Sequence, residues 1–150
     1  MKYQLSIEID KPRDETIKIF TDPKQIPHWQ RGFVSIEPIS GDPGQSGSKS
    51  KLLYQWGKRK REMIEVITHR DLPEQFHATY EAGGVYNVQE NYFTEIEGGK
   101  TLWRSVSEFR FSGFFMKALG TLMPGAFKKQ SYKFMTDFKN LVEHGTSVAK

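Results

Sequence analysis

The chain opens on an alternation: Tyr3, Leu5, Ile7 and Ile9 are apolar, and Gln4, Ser6, Glu8 and Asp10 between them are polar. A period of two buries one set and wets the other, which predicts a strand. Asp10, Pro12 and the acidic pair Asp14-Glu15 then supply a cap, a proline and favourable charge for a helix start. Ile17 and Phe20 give that short helix its buried side. Thr21-Asp22-Pro23 repeats the start signal, so a second short helix is expected to run to about Trp29.

From Gly32 to Phe111 the pattern is one of strands and turns. Expected strands cover Phe33 to Ile39, Leu52 to Trp56, Met63 to Thr68, Phe76 to Glu81, Val85 to Ile96 and Leu102 to Phe111. Turn formers separate them at Ser40 to Gly47, Gly57-Lys58-Arg59, Leu72-Pro73-Glu74, Gly83-Gly84 and Gly98-Gly99. Short Gly-bearing turns between alternating segments predict an antiparallel meander. The period then becomes helical. Phe127, Phe134, Phe138 and Leu141, joined by Met135 and Val142, form one stripe, and Phe114-Phe115-Met116, Leu119, Leu122 and Met123 mark an earlier helical segment. Pro124-Gly125 is expected to kink or break the helix, and Gly145 to end it.

Composition narrows the class. A chain of 150 residues with 37% hydrophobic and 27% charged content fits one globular domain over residues 1–150. A net charge of +4 is mildly basic, less than a committed nucleic-acid binder concentrates on one face. There is no cysteine, which removes disulfides, thiolate nucleophiles and Cys-ligated zinc. The first residues are charged and lack an apolar run, so they do not read as a signal peptide. No stretch approaches the roughly 18 apolar residues of a membrane span. The expectation is a soluble, cytoplasmic domain.

The order of strand, two short helices, six-stranded meander and long C-terminal helix predicts an α+β fold, a curved seven-stranded antiparallel sheet gripping one helix. Ile7-Glu8-Ile9-Asp10-Lys11-Pro12, Phe20-Thr21-Asp22-Pro23, Ile26-Pro27-His28-Trp29 and Gly98-Gly99-Lys100-Thr101-Leu102-Trp103 resemble landmarks of the START-like, or SRPBCC, superfamily of polyketide cyclase/dehydrases and lipid-transfer proteins. These motifs are structural punctuation and carry no catalytic signature. The resemblance implies a helix-grip fold with a cavity between sheet and helix, taking a small hydrophobic or amphipathic molecule. The residues themselves allow it, since a surface rich in Phe, Trp, Tyr and Met lines such cavities as readily as it fills a core. The lining candidates are Trp29, Trp56, Tyr80, Tyr92, Trp103, Phe115, Leu119, Met123 and Phe127, with Glu90, Ser105 and Ser107 as polar anchors.

The last hairpin sets those anchors. With Gly98-Gly99 as the loop, Trp103 opposes Thr94, Ser105 opposes Tyr92, Ser107 opposes Glu90 and Phe109 opposes Val88, all on the inner side. Arg104, Glu108 and Arg110 then face water. Glu90 becomes the lone inner carboxylate, able to act as general acid or base if an apolar setting raises its pKa. His77 depends on the preceding turn. A two-residue Gly83-Gly84 loop sets His77 opposite Glu90. A three-residue loop from Ala82 puts Phe76, Ala78 and Tyr80 on the Glu90 face, groups apolar residues better, and is the preferred register.

No metal or cofactor is expected: His28, His69, His77 and His144 lack ligand spacing, and phosphate-loop and nucleophile-elbow motifs are absent. The basic run Lys58-Arg59-Lys60-Arg61 lies at a hairpin tip, where it solvates a turn and discourages edge pairing. Three functions remain. They are binding or carriage of a small amphipathic ligand, a cyclase- or dehydratase-like enzyme, and a basic surface for membrane contact or, against the modest charge, nucleic acid. Nothing in the sequence sets an oligomeric state.

Overall fold

The computed structural model describes residues 1–150, the side chain of Phe115 excepted. Seven antiparallel strands form one sheet: β1 (Lys2–Ile9), β2 (Phe33–Ser40), β3 (Lys49–Trp56), β4 (Arg59–Asp71), β5 (Gln75–Ala82), β6 (Val85–Ile96) and β7 (Lys100–Phe111). Their spatial order is β1-β7-β6-β5-β4-β3-β2, so β1 and β2 sit at opposite edges. The two short helices exist to cross that gap. They are α1 (Arg13–Phe20) and α2 (Ile26–Trp29), joined through a single turn of 3₁₀ helix at Pro23–Gln25. After β7 come α3 (Phe114–Leu122) and the long α4 (Pro124–His144).

Chain punctuation explains most boundaries. Pro124 opens α4, where its missing N–H costs nothing, and Gly145 closes it with φ +68° while donating its N–H to the Leu141 carbonyl at 2.9 Å. Asp10 is not a helix cap as expected. Pro12 holds that position without a side-chain cap bond, and the Asp10 N–H instead donates to the Glu143 carboxylate on α4 at 2.7 Å. Strand β4 spans thirteen residues, well beyond Met63 to Thr68. Its polar ends, Arg59 to Glu62 and His69 to Asp71, pair in the ladder but leave no apolar signal.

The core lies where α4 meets β1, β6, β7 and the two short helices. Ile7, Ile9, Ile17, Trp29, Phe93, Trp103, Met135, Phe138 and Val142 form one buried cluster. Phe20 is the hub, with ring centroids 5.0 to 5.7 Å from Trp29, Phe76, Phe93, Trp103 and Phe138. These contacts, stacked on Trp29 and edge-on to the other four rings, fix α1 and α2 against the sheet. No helix among the described residues is long and apolar enough to cross a membrane.

Both Gly-Gly registers differ from expectation. Ile96 pairs with Lys100, so the final loop has three residues, Glu97 to Gly99, and Trp103 opposes Phe93. Ala82 pairs with Val85, so Gly83-Gly84 is a two-residue loop, and its residues have φ +50° and +85° as such tight turns demand. His77 does oppose Glu90, but both lie on the convex face. The one-residue slip at the last hairpin exchanges Tyr92 and Glu90 for Asn91 and Gln89 on the inner side.

Candidate functional site

Because Trp103 and Phe93 point into the core, alternation fixes the rest of the concave face. It carries Asn87, Gln89 and Asn91 on β6, Phe76, Ala78 and Tyr80 on β5, Glu65 and Ile67 on β4, and Ser50, Leu52 and Tyr54 on β3. Helix α4 packs chiefly on β1, α1 and α2. The concave surface toward β3 to β5 is polar at its centre. There Glu65 stands directly across from Tyr80 on one side and Ser50 on the other. Tyr54 is buried and donates its hydroxyl to the Gln30 side chain.

The electrostatics of this trio are those of a desolvated site. Burial pushes the Glu65 carboxyl up from the ordinary glutamate value, and the Tyr80 hydroxyl offsets part of that rise. Burial likewise raises Tyr80 well above the usual phenol value, with the Glu65 charge adding to it, and raises Tyr54 for the same two reasons. All three therefore hold protons more tightly than in water. Yet Glu65 and Tyr80 keep part of their surface accessible. Both groups lie on the concave side, mostly covered but still partly reachable.

The floor beside the trio is a hydrogen-bonded polar belt. Ser107 donates to Gln89, the Trp103 indole N–H donates to Asn91 Oδ1 at 3.0 Å, and Asn87 Nδ2 donates to the Glu108 carbonyl at 3.0 Å. On the α4 side the Tyr3 hydroxyl contacts Ser131 Oγ at 2.6 Å and donates to the Phe127 carbonyl at 3.1 Å.

The expected site residues scatter. Tyr80, Ser105 and Ser107 occupy the concave face, the two serines buried. Trp29 and Trp103 are core, in edge-on contact at 6.3 Å. Trp56 is at the rim, stacked on Tyr54 at 5.6 Å and donating its indole N–H to the Arg31 carbonyl at 3.0 Å. The indole lies where a side chain on Gly32 would be, which is why that position has no Cβ. Phe127 packs on Phe109 and Phe111 at 5.0 and 5.5 Å, Leu119 is half-buried on α3, and Met123 is exposed at the α3–α4 junction. The Phe115 side chain lies outside what the structure describes.

Glu90 and Tyr92 are corrected outright, for they belong to the convex face. The Tyr92 hydroxyl donates to Glu90 at 3.2 Å, and Arg104 lies 4.1 Å over the Tyr92 ring. His69 and His77 stack beside them at 5.4 Å, and burial lowers the His77 pKa. No metal-holding cluster occurs among the described residues. A solvent-open groove of about 670 Å³ lies elsewhere, between α3 and the β1–β7 end, touching Phe109, Phe111, Lys117 and Gly120.

A family model described as polyketide cyclase/dehydrase and lipid transport matches residues 1–143. The chain belongs to this family. Its START-like, SRPBCC-type membership accords with a helix-grip fold, and the structural likenesses agree. Ara h 8.0201 superposes with a TM-score of 0.76 at 13% identity, over 95% of this chain and 97% of its own. A conserved protein from Geobacillus kaustophilus gives 0.74 at 21% identity, over 95% of each chain. Norcoclaurine synthase from Thalictrum flavum, in complex with dopamine and hydroxybenzaldehyde, gives 0.70 at 18% identity, over 95% of this chain and 86% of its own. Among curated proteins, none matches the sequence. What sequence reasoning missed in this family member is Glu65, together with Tyr54 and Gln89. Its parity with Met63 and Ile67 carried no clear signal, because Ile64 and Val66 make the other face of β4 apolar too.

Proposed function

We propose that residues 1–150 act as one cytoplasmic domain that binds a small amphipathic molecule on the concave face. The apolar part of the ligand lies against Met63 and Phe76, and its polar group meets Glu65 and Tyr80, with Tyr54 behind them. The observation that carries this reading is the depth of Glu65 and Tyr80 combined with their residual accessibility. Glu65 and Tyr80 meet part of each other's hydrogen-bonding capacity, and the polar group of a ligand can take up the rest. The Thalictrum flavum likeness supports it, since dopamine and hydroxybenzaldehyde are small aromatic molecules bearing hydroxyl groups. Native mass spectrometry of gently purified protein, followed by organic extraction, tests it. A stoichiometric amphipathic adduct is expected. An apo mass together with no saturable uptake of amphipathic probes contradicts the reading.

A second reading rests on the raised proton affinity of Glu65 beside Tyr80: cyclase- or dehydratase-like chemistry, with Glu65 exchanging a proton with an enolisable substrate in a water-poor site. Deuterium uptake at the α-carbon of a small diketone, lost in Glu65→Gln while binding is kept, favours catalysis. Retained exchange in that variant removes Glu65 from it.

A further inference from the structure

One end of the sheet gathers the β3–β4 turn, the β5–β6 turn and α3. Strands β3, β5 and β7 all run toward it. The Ser112 N–H donates to the Gly84 carbonyl at 2.8 Å, which ties the start of α3 to the β5–β6 turn. Adjacent strands stand about 4.8 Å apart, so the β3–β4 hairpin lies roughly 15–20 Å across the sheet from α3, and its tip projects beyond the β5–β6 turn.

The surface of this end combines bare apolar groups with positive charge. Phe114 is 92% exposed, Leu122 79% and Met123 48%. Lys117 on α3 and Lys128 and Lys129 on the first turns of α4 are exposed beside them. Across the same end, Lys58, Arg59, Lys60 and Arg61 are all exposed at the hairpin tip. The acidic groups here are few: Glu62, Glu81, and Glu108, which is paired with Arg110 at 3.0 Å. The opposite end is mixed in charge, with Asp42, Asp71, Glu74, Glu95 and Glu97 interleaved with Lys11, Lys49, Arg70 and Lys100 at or near its turns. The end with the run of uncompensated cations is also the one that shows apolar side chains to water.

We propose that this end docks on anionic lipid bilayers. Helix α3 lies in the interface with Phe114 and Leu122 inserted, and the β3–β4 tip rests on the headgroups. Charge selects an anionic surface, while the bare side chains select a bilayer over nucleic acid, whose phosphate backbone offers no apolar layer to enter. The inference concerns the outer surface and stands whatever occupies the concave recess.

Co-sedimentation of the full chain with vesicles tests it, using phosphatidylcholine alone and phosphatidylcholine with about 30% phosphatidylserine. Binding is expected only to the anionic vesicles, and it is expected to weaken as salt is raised. The double variant Phe114→Ser/Leu122→Ser alters side chains that face water, so folding is undisturbed, and it is expected to lose about tenfold in partitioning. Lys58→Glu/Lys60→Glu is expected to lose a similar amount, most clearly at low salt. Binding that ignores lipid charge, or that survives the Phe114/Leu122 change, overturns the proposal. So does a wild-type dimer that the same change dissolves, or retention by duplex nucleic acid in preference to vesicles.

Discussion

Glu65 and Tyr80 are direct cross-strand partners on the concave face of β4 and β5, so a carboxyl and a phenol share one desolvated stretch of that face with Tyr54 next to them. The folded chain has an ionisable acid where its core could have been apolar. That choice leaves a trace in stability.

Glu65 binds its proton more tightly in the folded chain than in the unfolded one. Its contribution is therefore most favourable in acid, and stability falls as pH rises from the ordinary glutamate value through the folded one. Glu65→Gln cannot ionise and is expected to be more stable than the parent at neutral pH, with the advantage fading in acid. Urea denaturation of both proteins across that range reads the difference directly. A difference that stays flat with pH contradicts the assignment.

Glu143 behaves in the opposite sense. Burial alone would raise it, but the Asp10 N–H at 2.7 Å and Lys139 at 3.0 Å together hold it below the ordinary value. Its contribution is present above the unfolded pKa and lost as pH falls through the folded one. Glu143→Ala is expected to cost about 1–2 kcal/mol at neutral pH, by freeing the β1–α1 turn from α4. Chemical denaturation measures that loss, and a neutral result shows that the tie carries no stability.

Gly120 is buried on α3, and a Cβ there would stand 2.5 Å from the Phe111 ring. Gly120→Ala is expected to lift α3 from β7 at a cost of about 1–3 kcal/mol. Amide exchange should accelerate in α3 well before it changes in β6 or β7. Unaltered α3 protection means that the helix does not depend on this close approach.

Glu90 and His77 face away from the recess. Glu90→Gln and His77→Ala are each expected to leave binding of an amphipathic probe within about twofold of the parent, since groups on opposite faces of a sheet share no ligand contact. Fluorescence titration measures this. A loss of tenfold or more in either variant places the ligand on the convex side.

The fold was legible because its cues are local. The alternation of Tyr3 to Asp10, the breaks at Pro124 and Gly145, and the helical stripe through Phe138 each sit within a few residues of the element they define. The site was not, because it depends on register. Gly98-Gly99 invites a two-residue loop, but closing the turn with Glu97 included pairs Trp103 with Phe93, which buries two aromatics on one side. Matching those two aromatics across the strands, in place of counting loop glycines, would have put Glu90 outside. Glu65 escaped for another reason. Its neighbours Ile64 and Val66 make β4 apolar on both faces, so period two gave no clear inside.

The most direct test of the account is a backbone NMR titration of the ¹⁵N-labelled protein with anilinonaphthalene sulfonate, an anionic amphipath. Saturable shifts should converge on Tyr54, Glu65, Tyr80 and Gln89 across the concave faces of β3 to β6. Shifts confined to the groove at Phe109, Phe111 and Lys117, or to the convex residues His77, Glu90 and Tyr92, would contradict a ligand site in the recess.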